Sequence, residues 1–257
     1  MLKPLLKTLA QKAGYEIIST RYYKQLIAAY NHANTQSKFA LHSGERQAGA
    51  GLDKIRRDHV ARYEKAGDII RSHFGPTEDL VGIDIFCGNG FGTHVVNQLT
   101  SSFIWGVDAS EEAIRLANTH YANEKVFFTA KVFAFALPRQ AFDFLIAFAS
   151  LEHLNDDKAF MATIAQAVKP GGLLFVSTFN ERIAPLSQNK YPFHIRHYHP
   201  QEIIDFFEKN YPFKLHTWYG NSAYHFFDGI RDGVRSDSQM ELKEKQEDAH
   251  VMFVFFR

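Results

Sequence analysis

The stretch that most constrains this chain is Val81 to Thr93, V-G-I-D-I-F-C-G-N-G-F-G-T, where an apolar run passes into a loop of three glycines with one carboxylate before them. Val81, Ile83 and Ile85 suit a buried parallel strand. Gly88, Gly90 and Gly92 put no Cβ in the way of a ligand lying across that strand's carboxyl end, the edge at which open α/β sheets bind their ligands.

Such a strand, loop and helix could open a nicotinamide-binding fold, whose fingerprint is G-x-G-x-x-G. Gly88 and Gly90 fit it, but Thr93 stands at the third glycine, and Asp84 precedes the loop where a dinucleotide fold needs no carboxylate. The order Asp, Cys-Gly, x, Gly, x, Gly instead resembles the first motif of class I S-adenosylmethionine-dependent methyltransferases. That resemblance implies that Asp84 answers the ligand's ammonium group and that Phe86, Gly88, Asn89 and Gly90 lie along the ligand. Phe86 departs from the family's usual Gly or Ala, which predicts a bulkier pocket floor.

The following segments arrive in the family's order. Phe103 to Asp108 is an apolar run ending in a carboxylate, and Ser110 can cap a helix that carries Glu111 and Glu112 in its first turn. A carboxylate there can accept from both ribose hydroxyls, so Asp108, with Ala109 beside it, is the expected ribose site; the alternative is that Asp108 only caps the helix. Phe142 to Ser150 is too apolar for a half-exposed strand and is expected at the sheet centre. It runs into Leu151-Glu152-His153-Leu154, then a helix from about Asp156 to Val168, a Lys169-Pro170-Gly171-Gly172 stop, and a strand from Leu173 to Thr178. By resemblance Phe148 and Glu152 contact the cofactor and His153 is the catalytic base; the alternatives are a Glu152 that orients the imidazole and a structural His153 bonded to the following helix. The third strand, expected over Val126 to Pro138, has no acid for the adenine amino group, so Phe133 or a neighbour would hold adenine by stacking and backbone contacts.

Ser43-Gly44-Glu45-Arg46, His59 to Tyr63 and Tyr191 to Pro200 (Y-P-F-H-I-R-H-Y-H-P) resemble segments of a subgroup found with sugar, lipopolysaccharide and capsule biosynthesis. The resemblance implies that Tyr63, His194, Arg196 and Tyr198 bind the acceptor. The competing reading of His194, Arg196, His197 and His199 is a solvated loop or a structural hydrogen-bond knot. Alternating histidines without an acid cluster are poor evidence for a metal, and none is expected.

Composition bears on what the chain can bind. With 257 residues, 46% hydrophobic, it can bury one large core, and a net charge of +1 gives no pull toward nucleic acid. The single cysteine, Cys87, excludes an internal disulfide and suits a reducing compartment, so the cytoplasm is expected. No apolar run approaches the roughly 20 residues of a membrane span, and the start lacks a secretory pattern. Leu2, Leu5, Leu6 and Leu9 among Lys3, Lys7 and Lys12 describe a basic amphipathic helix over residues 1–13. Weak membrane contact and packing on the body or on a second subunit of a homodimer both fit; packing is favoured, because one short helix holds a bilayer weakly.

The expectation is an α/β three-layer sandwich with a Rossmann-like, mostly parallel seven-stranded sheet whose last strand, Val251 to Phe256, is antiparallel. Residues 1–75 would form a helical cap and residues 76–257 the catalytic domain, with an acceptor-pocket insert at about 180–200. S-adenosyl-L-methionine and a small polar acceptor, a hydroxyl of a sugar or glycan precursor, are the expected ligands. A degenerate, non-catalytic nucleoside-binding or partner subunit of the same fold is the alternative, and a nicotinamide oxidoreductase a weaker one.

Overall fold

The computed structural model describes residues 47, 49 and 51–257. The expectations on residues 1–46, including the basic helix and Ser43 to Arg46, lie outside the described residues. The apolar run before the loop is strand β1 (Val81–Ile85), followed by helix α2 (Phe91–Thr100) and β2 (Phe103–Asp108). Helix α3 (Glu111–His120) begins where Ser110 Oγ accepts from Ala113 N at 3.3 Å, the expected cap. Next come β3 (Val126–Ala130), β4 (Phe142–Phe148), α4 (Asp157–Ala167) and β5 (Val168–Phe179). Helix α4 is capped by Asp156, whose side chain accepts from Ala159 N. Helix α5 (Pro200–Asn210) and strands β6 (Lys214–Asn221), β7 (Tyr224–Phe227), β8 (Ile230–Val234), β9 (Lys243–Glu244) and β10 (His250–Phe256) complete the chain. Helix α1 (Arg57–Phe74) precedes them all.

The main sheet runs β3-β2-β1-β4-β5-β10-β6-β9, and β7 pairs with β8 in a separate hairpin. It has eight strands where seven were expected; the short β9 pairs with β6 through Tyr219–Glu244 and Gly220–Lys243. Strands β1 to β5 are parallel, and β10 is antiparallel to both β5 and β6. As predicted, β4 is central, and Phe144 to Ala147 on it are fully buried.

Two sequence boundaries are corrected. The third strand ends at Ala130, because its partner β2 stops at Asp108, whose carbonyl takes the last hydrogen bond from Lys131 N. Residues 131–141 then leave the sheet as a loop. Lys169 to Gly172 does not separate helix from strand; β5 starts at Val168 and absorbs these residues as an irregularity in its pairing with β4.

Helix α1 is built into the body. Tyr63, Ala66 and Ile70 join the core on the α2 face of the sheet, with Val95 and Val96 of α2. Tyr198, Ile203, Phe207 and the α4 side chains Phe160, Met161 and Ile164 fill the opposite face.

Candidate active site

A cavity of about 730 Å³ opens along the carboxyl edge of β1, β2, β4, β5 and β6. Because β10 is antiparallel, its first residue reaches the same edge, where His250 pairs with Phe179 of β5 and Asn221 of β6. The loops after the parallel strands and the start of α1 make the walls.

On the β1–β3 side the walls are Phe86, Gly88, Asn89, Asp108, Ala109 and the residues after β3, Val132, Phe133 and Ala134. Phe133 therefore stands where the third-strand acid is missing. Both oxygens of Asp108 hold the loops: Oδ2 accepts from Gly88 N at 3.0 Å and Oδ1 from Ser110 N at 2.8 Å. The backbone of Phe86 has φ 65°, a left-handed conformation that favours glycine, which is a physical reason for a small residue at this place. Its ring lies edge-on to Phe160 at 5.5 Å. Asn89 ties the segment before α1 to the loop, its Nδ2 donating to Gly49 O at 2.8 Å.

Only one of the three glycines faces the cavity. A Cβ on Gly88 would meet nothing within 4 Å, whereas one on Gly92 would strike the Tyr63 ring at 2.2 Å. Gly90 is not in the wall: it caps α2 with φ 84°, and its close neighbours are Ala117 and Phe128.

Asp84 also lies outside the cavity. It is fully buried behind the loop, accepting from Thr93 Oγ1 at 2.6 Å and from Tyr63 OH at 3.4 Å, so it braces α1 and α2 and does not reach a ligand's ammonium group. Burial, reinforced by the charge of Asp108, pushes its pKa up to about 7 despite those two hydrogen bonds. A carboxyl raised this far above its unfolded value binds its proton more tightly in the folded protein, so its contribution to stability falls as pH rises from about 4 to 7. Asp84→Asn, which keeps an acceptor for Thr93, should therefore gain on the parent by roughly 2 to 4 kcal/mol across that range. Denaturation at pH 4.5 and 7.5 checks this; parallel stability curves would contradict it.

The β4–β6 side carries Glu152, His153 and His194. Leu151–His153 is a short 3-10 turn after β4 that aims Glu152 and His153 at the cavity. Glu152 is fully buried and its Oε2 accepts from Thr178 Oγ1. His153 Nδ1 lies 3.1 Å from the carbonyl of Phe193; a carbonyl only accepts, so Nδ1 carries the hydrogen and Nε2 the lone pair. A second chain of contacts sets His194: His197 Nδ1 donates to Ala184 O at 2.6 Å, leaving its Nε2 to accept from His194 Nδ1 at 2.8 Å. Burial pushes the His194 pKa down to about 2, helped by His153 and His197, so this ring is neutral. The nearest ligating atoms of Glu152, His153 and His194 lie within 4.8 Å of one another, close enough to be considered for a metal ion.

Of the expected acceptor residues, His194 lines the cavity and Tyr63 lies in its wall, its ring against Phe91 and Phe148 and its hydroxyl turned to Asp84. Arg196 and Tyr198 do not line it. Tyr198 is buried with its hydroxyl donating to Asp157 at 2.6 Å, and Arg196 pairs with Asp157 and Glu202 while lying over the Tyr198 ring. Together with His197, and with His199 capping α5, they form the structural knot that was the competing reading. The sequence reading missed Arg56, Asp58, His59 and Arg62 at the start of α1, Tyr191 and His250, all of which line the cavity. Asp58 and Arg62 stand four apart on the buried face of α1, a signal available in the sequence.

Residues 83–176 match the family described as "Methyltransferase domain". Over that stretch, about a third of the chain, the sequence is similar to methyltransferase domains. Among relatives, the "Ubiquinone biosynthesis O-methyltransferase" of Sinorhizobium medicae is 33% identical over 126 residues, 45% of this chain and 50% of that protein. The protein of the same name from Caulobacter vibrioides is 31% identical over 140 residues, 53% and 54% of the two chains. The chain thus spans about half the length of the relatives it matches. Among solved structures, an S-adenosylmethionine-dependent methyltransferase from Mesorhizobium loti superposes with a TM-score of 0.54 at 15% identity, covering 74% of this chain and 96% of that one. The 1,6-didemethyltoxoflavin-N1-methyltransferase of Burkholderia thailandensis, solved with 1,6-didemethyltoxoflavin and S-adenosylhomocysteine, gives 0.54 at 15% identity over 93% and 91%. At such identities the chain shares the fold with these structures.

Proposed function

We propose that this protein transfers the methyl group of S-adenosylmethionine to a hydroxyl of a small polar acceptor, with His153 as the base. The observation that carries the reading is the fixed tautomer of His153, which turns the lone pair of Nε2, the atom a general base needs, away from Phe193 O. The β1–β3 side suits the donor: Asp108 lines the wall, Gly88 leaves it open, and Phe133 offers a ring face. When bound, S-adenosylmethionine supplies a methyl group on a sulfonium, already a strong electrophile. The side chains are left to align the acceptor, exclude water and take its proton at His153 Nε2.

The relatives' names point to oxygen as the methylated atom. A sugar or glycan precursor is the acceptor we favour, resting on the resemblance of Tyr191 to Pro200 and on the hydrogen-bonding side chains of the β4–β6 wall. We place the reaction in the cytoplasm; no described helix is long and apolar enough to cross a membrane.

The test is methyl transfer from labelled S-adenosylmethionine to a panel of sugars and sugar nucleotides, with the label traced to an ether oxygen. A base needs no cation, so EDTA should change the rate less than twofold. A tenfold loss restored by a divalent metal would recast Glu152, His153 and His194 as metal ligands.

A further inference from the structure

The cavity contains two buried side chains, each with polar atoms that have no hydrogen-bond partner among the described residues. His250 is 5% exposed, and neither ring nitrogen has a hydrogen-bond partner among the described residues. Arg62 is 1% exposed and its Nε is likewise without one. Both line the cavity. They are neighbours through Asn221, which pairs with His250 across the sheet and accepts from Arg62 Nη1 at 3.0 Å.

Charge is also unbalanced here. Asp58 is gripped on both oxygens by Arg56, at 2.5 and 3.1 Å, and lies only 3.7 Å from Arg62, so one carboxylate is shared by two guanidinium groups. Burial works against the Arg62 charge, but a guanidinium keeps its proton, and an under-compensated buried cation is costly. Burial, with the guanidinium charges of Arg62 and Arg56 nearby, keeps His250 neutral, with one ring nitrogen a donor and the other an acceptor. Along the same wall, Lys190 and Arg231 add positive charge, and Tyr224 lies between the guanidinium groups of Arg231 and Arg56, 4.6 and 5.4 Å from its centre. Among the described residues the lining as a whole carries four cationic side chains, Arg56, Arg62, Lys190 and Arg231, and four carboxylates, Asp58, Asp108, Glu152 and Asp156, so the imbalance is local to Asp58, which two guanidinium groups share.

We propose that Arg62 and His250 form an anion-reading subsite that binds a carboxylate or phosphate carried by the acceptor. An oxyanion there accepts from Arg62 Nε and from the ring N–H of His250, satisfying two buried donors and balancing the second guanidinium. Water could satisfy those donors but could not supply the charge. The proposal rests on the reading of this cavity as the methyl-transfer site and narrows its acceptor to an acid, such as a uronic acid or a sugar phosphate.

The test uses the protein with S-adenosylhomocysteine bound and three probes of one ring type: glucose, glucuronate and glucose 1-phosphate. Calorimetry should show at least one charged probe binding tenfold or more tightly than glucose, and which one separates carboxylate from phosphate. Acetate and inorganic phosphate alone should shift the His250 ring nitrogen resonances. His250→Phe should abolish the preference, His250→Gln should keep part of it, and Arg62→Lys, which holds the charge but not Nε, should weaken it. Bound S-adenosylhomocysteine with no preference for charged probes, and His250 resonances unmoved by either anion, would overturn the subsite and leave the methyltransferase reading standing. Failure of S-adenosylhomocysteine itself to bind would overturn that reading, and the two anions acting on His250 would still report on the subsite alone.

Discussion

His153→Ala is expected to lower kcat by about 10²- to 10⁴-fold with S-adenosylmethionine affinity nearly unchanged. The acceptor's hydroxyl proton has to leave as the carbon–oxygen bond forms. The hydrogen bond from Nδ1 to Phe193 O leaves Nε2 as the nitrogen to receive it. Protonated imidazole cannot act as a base, so the parent's kcat should rise with pH as the neutral form of His153 fills. His153→Gln, which retains polarity without a basic nitrogen, should be as slow as the alanine variant. Equal kcat in parent and variants would leave alignment by the cavity as the whole of the catalysis.

Asp108→Ala should weaken S-adenosylhomocysteine by about 1.5 to 3 kcal/mol, a loss of roughly ten- to 150-fold. Two effects add. The side chain is the ribose acceptor in this account, and its two oxygens also fix the Gly88 and Ser110 amides, so its removal loosens the loop. Asp108→Asn retains one acceptor and should lose less. A variant that melts earlier yet binds the nucleoside like the parent would make Asp108 a loop tie alone.

The elements around the first loop could be read from the sequence because the forces that make them are local. Alternation and apolar content placed β1, β2 and β4, and the Ser110 cap needed only its own helix. What the sequence did not reveal depends on contacts between distant segments. Asp84 has the right spacing for a ligand contact, but Thr93 from α2 and Tyr63 from α1 close over it. In the run His194 to His199 every residue but Ile195 carries a polar group, and which of them faces the cavity is decided by Asp157, Ala184 and Glu202. Arg196 and Tyr198 therefore lie outside the cavity, while His194 beside them lines it. His250 was within reach: an antiparallel final strand must start at the edge where its parallel neighbours end, so its first polar residue belongs in the cavity. Arg62 was harder, since its partner Asn221 lies 159 residues away.

Calorimetric titration of the protein with S-adenosylhomocysteine and with NAD, side by side, tests the central claim most directly. Binding of S-adenosylhomocysteine in the micromolar range with no heat from NAD is the expected result, given Asp108 and Gly88 in the wall and Thr93 where a dinucleotide fold has its third glycine. No heat and no thermal shift with millimolar S-adenosylhomocysteine would contradict the account.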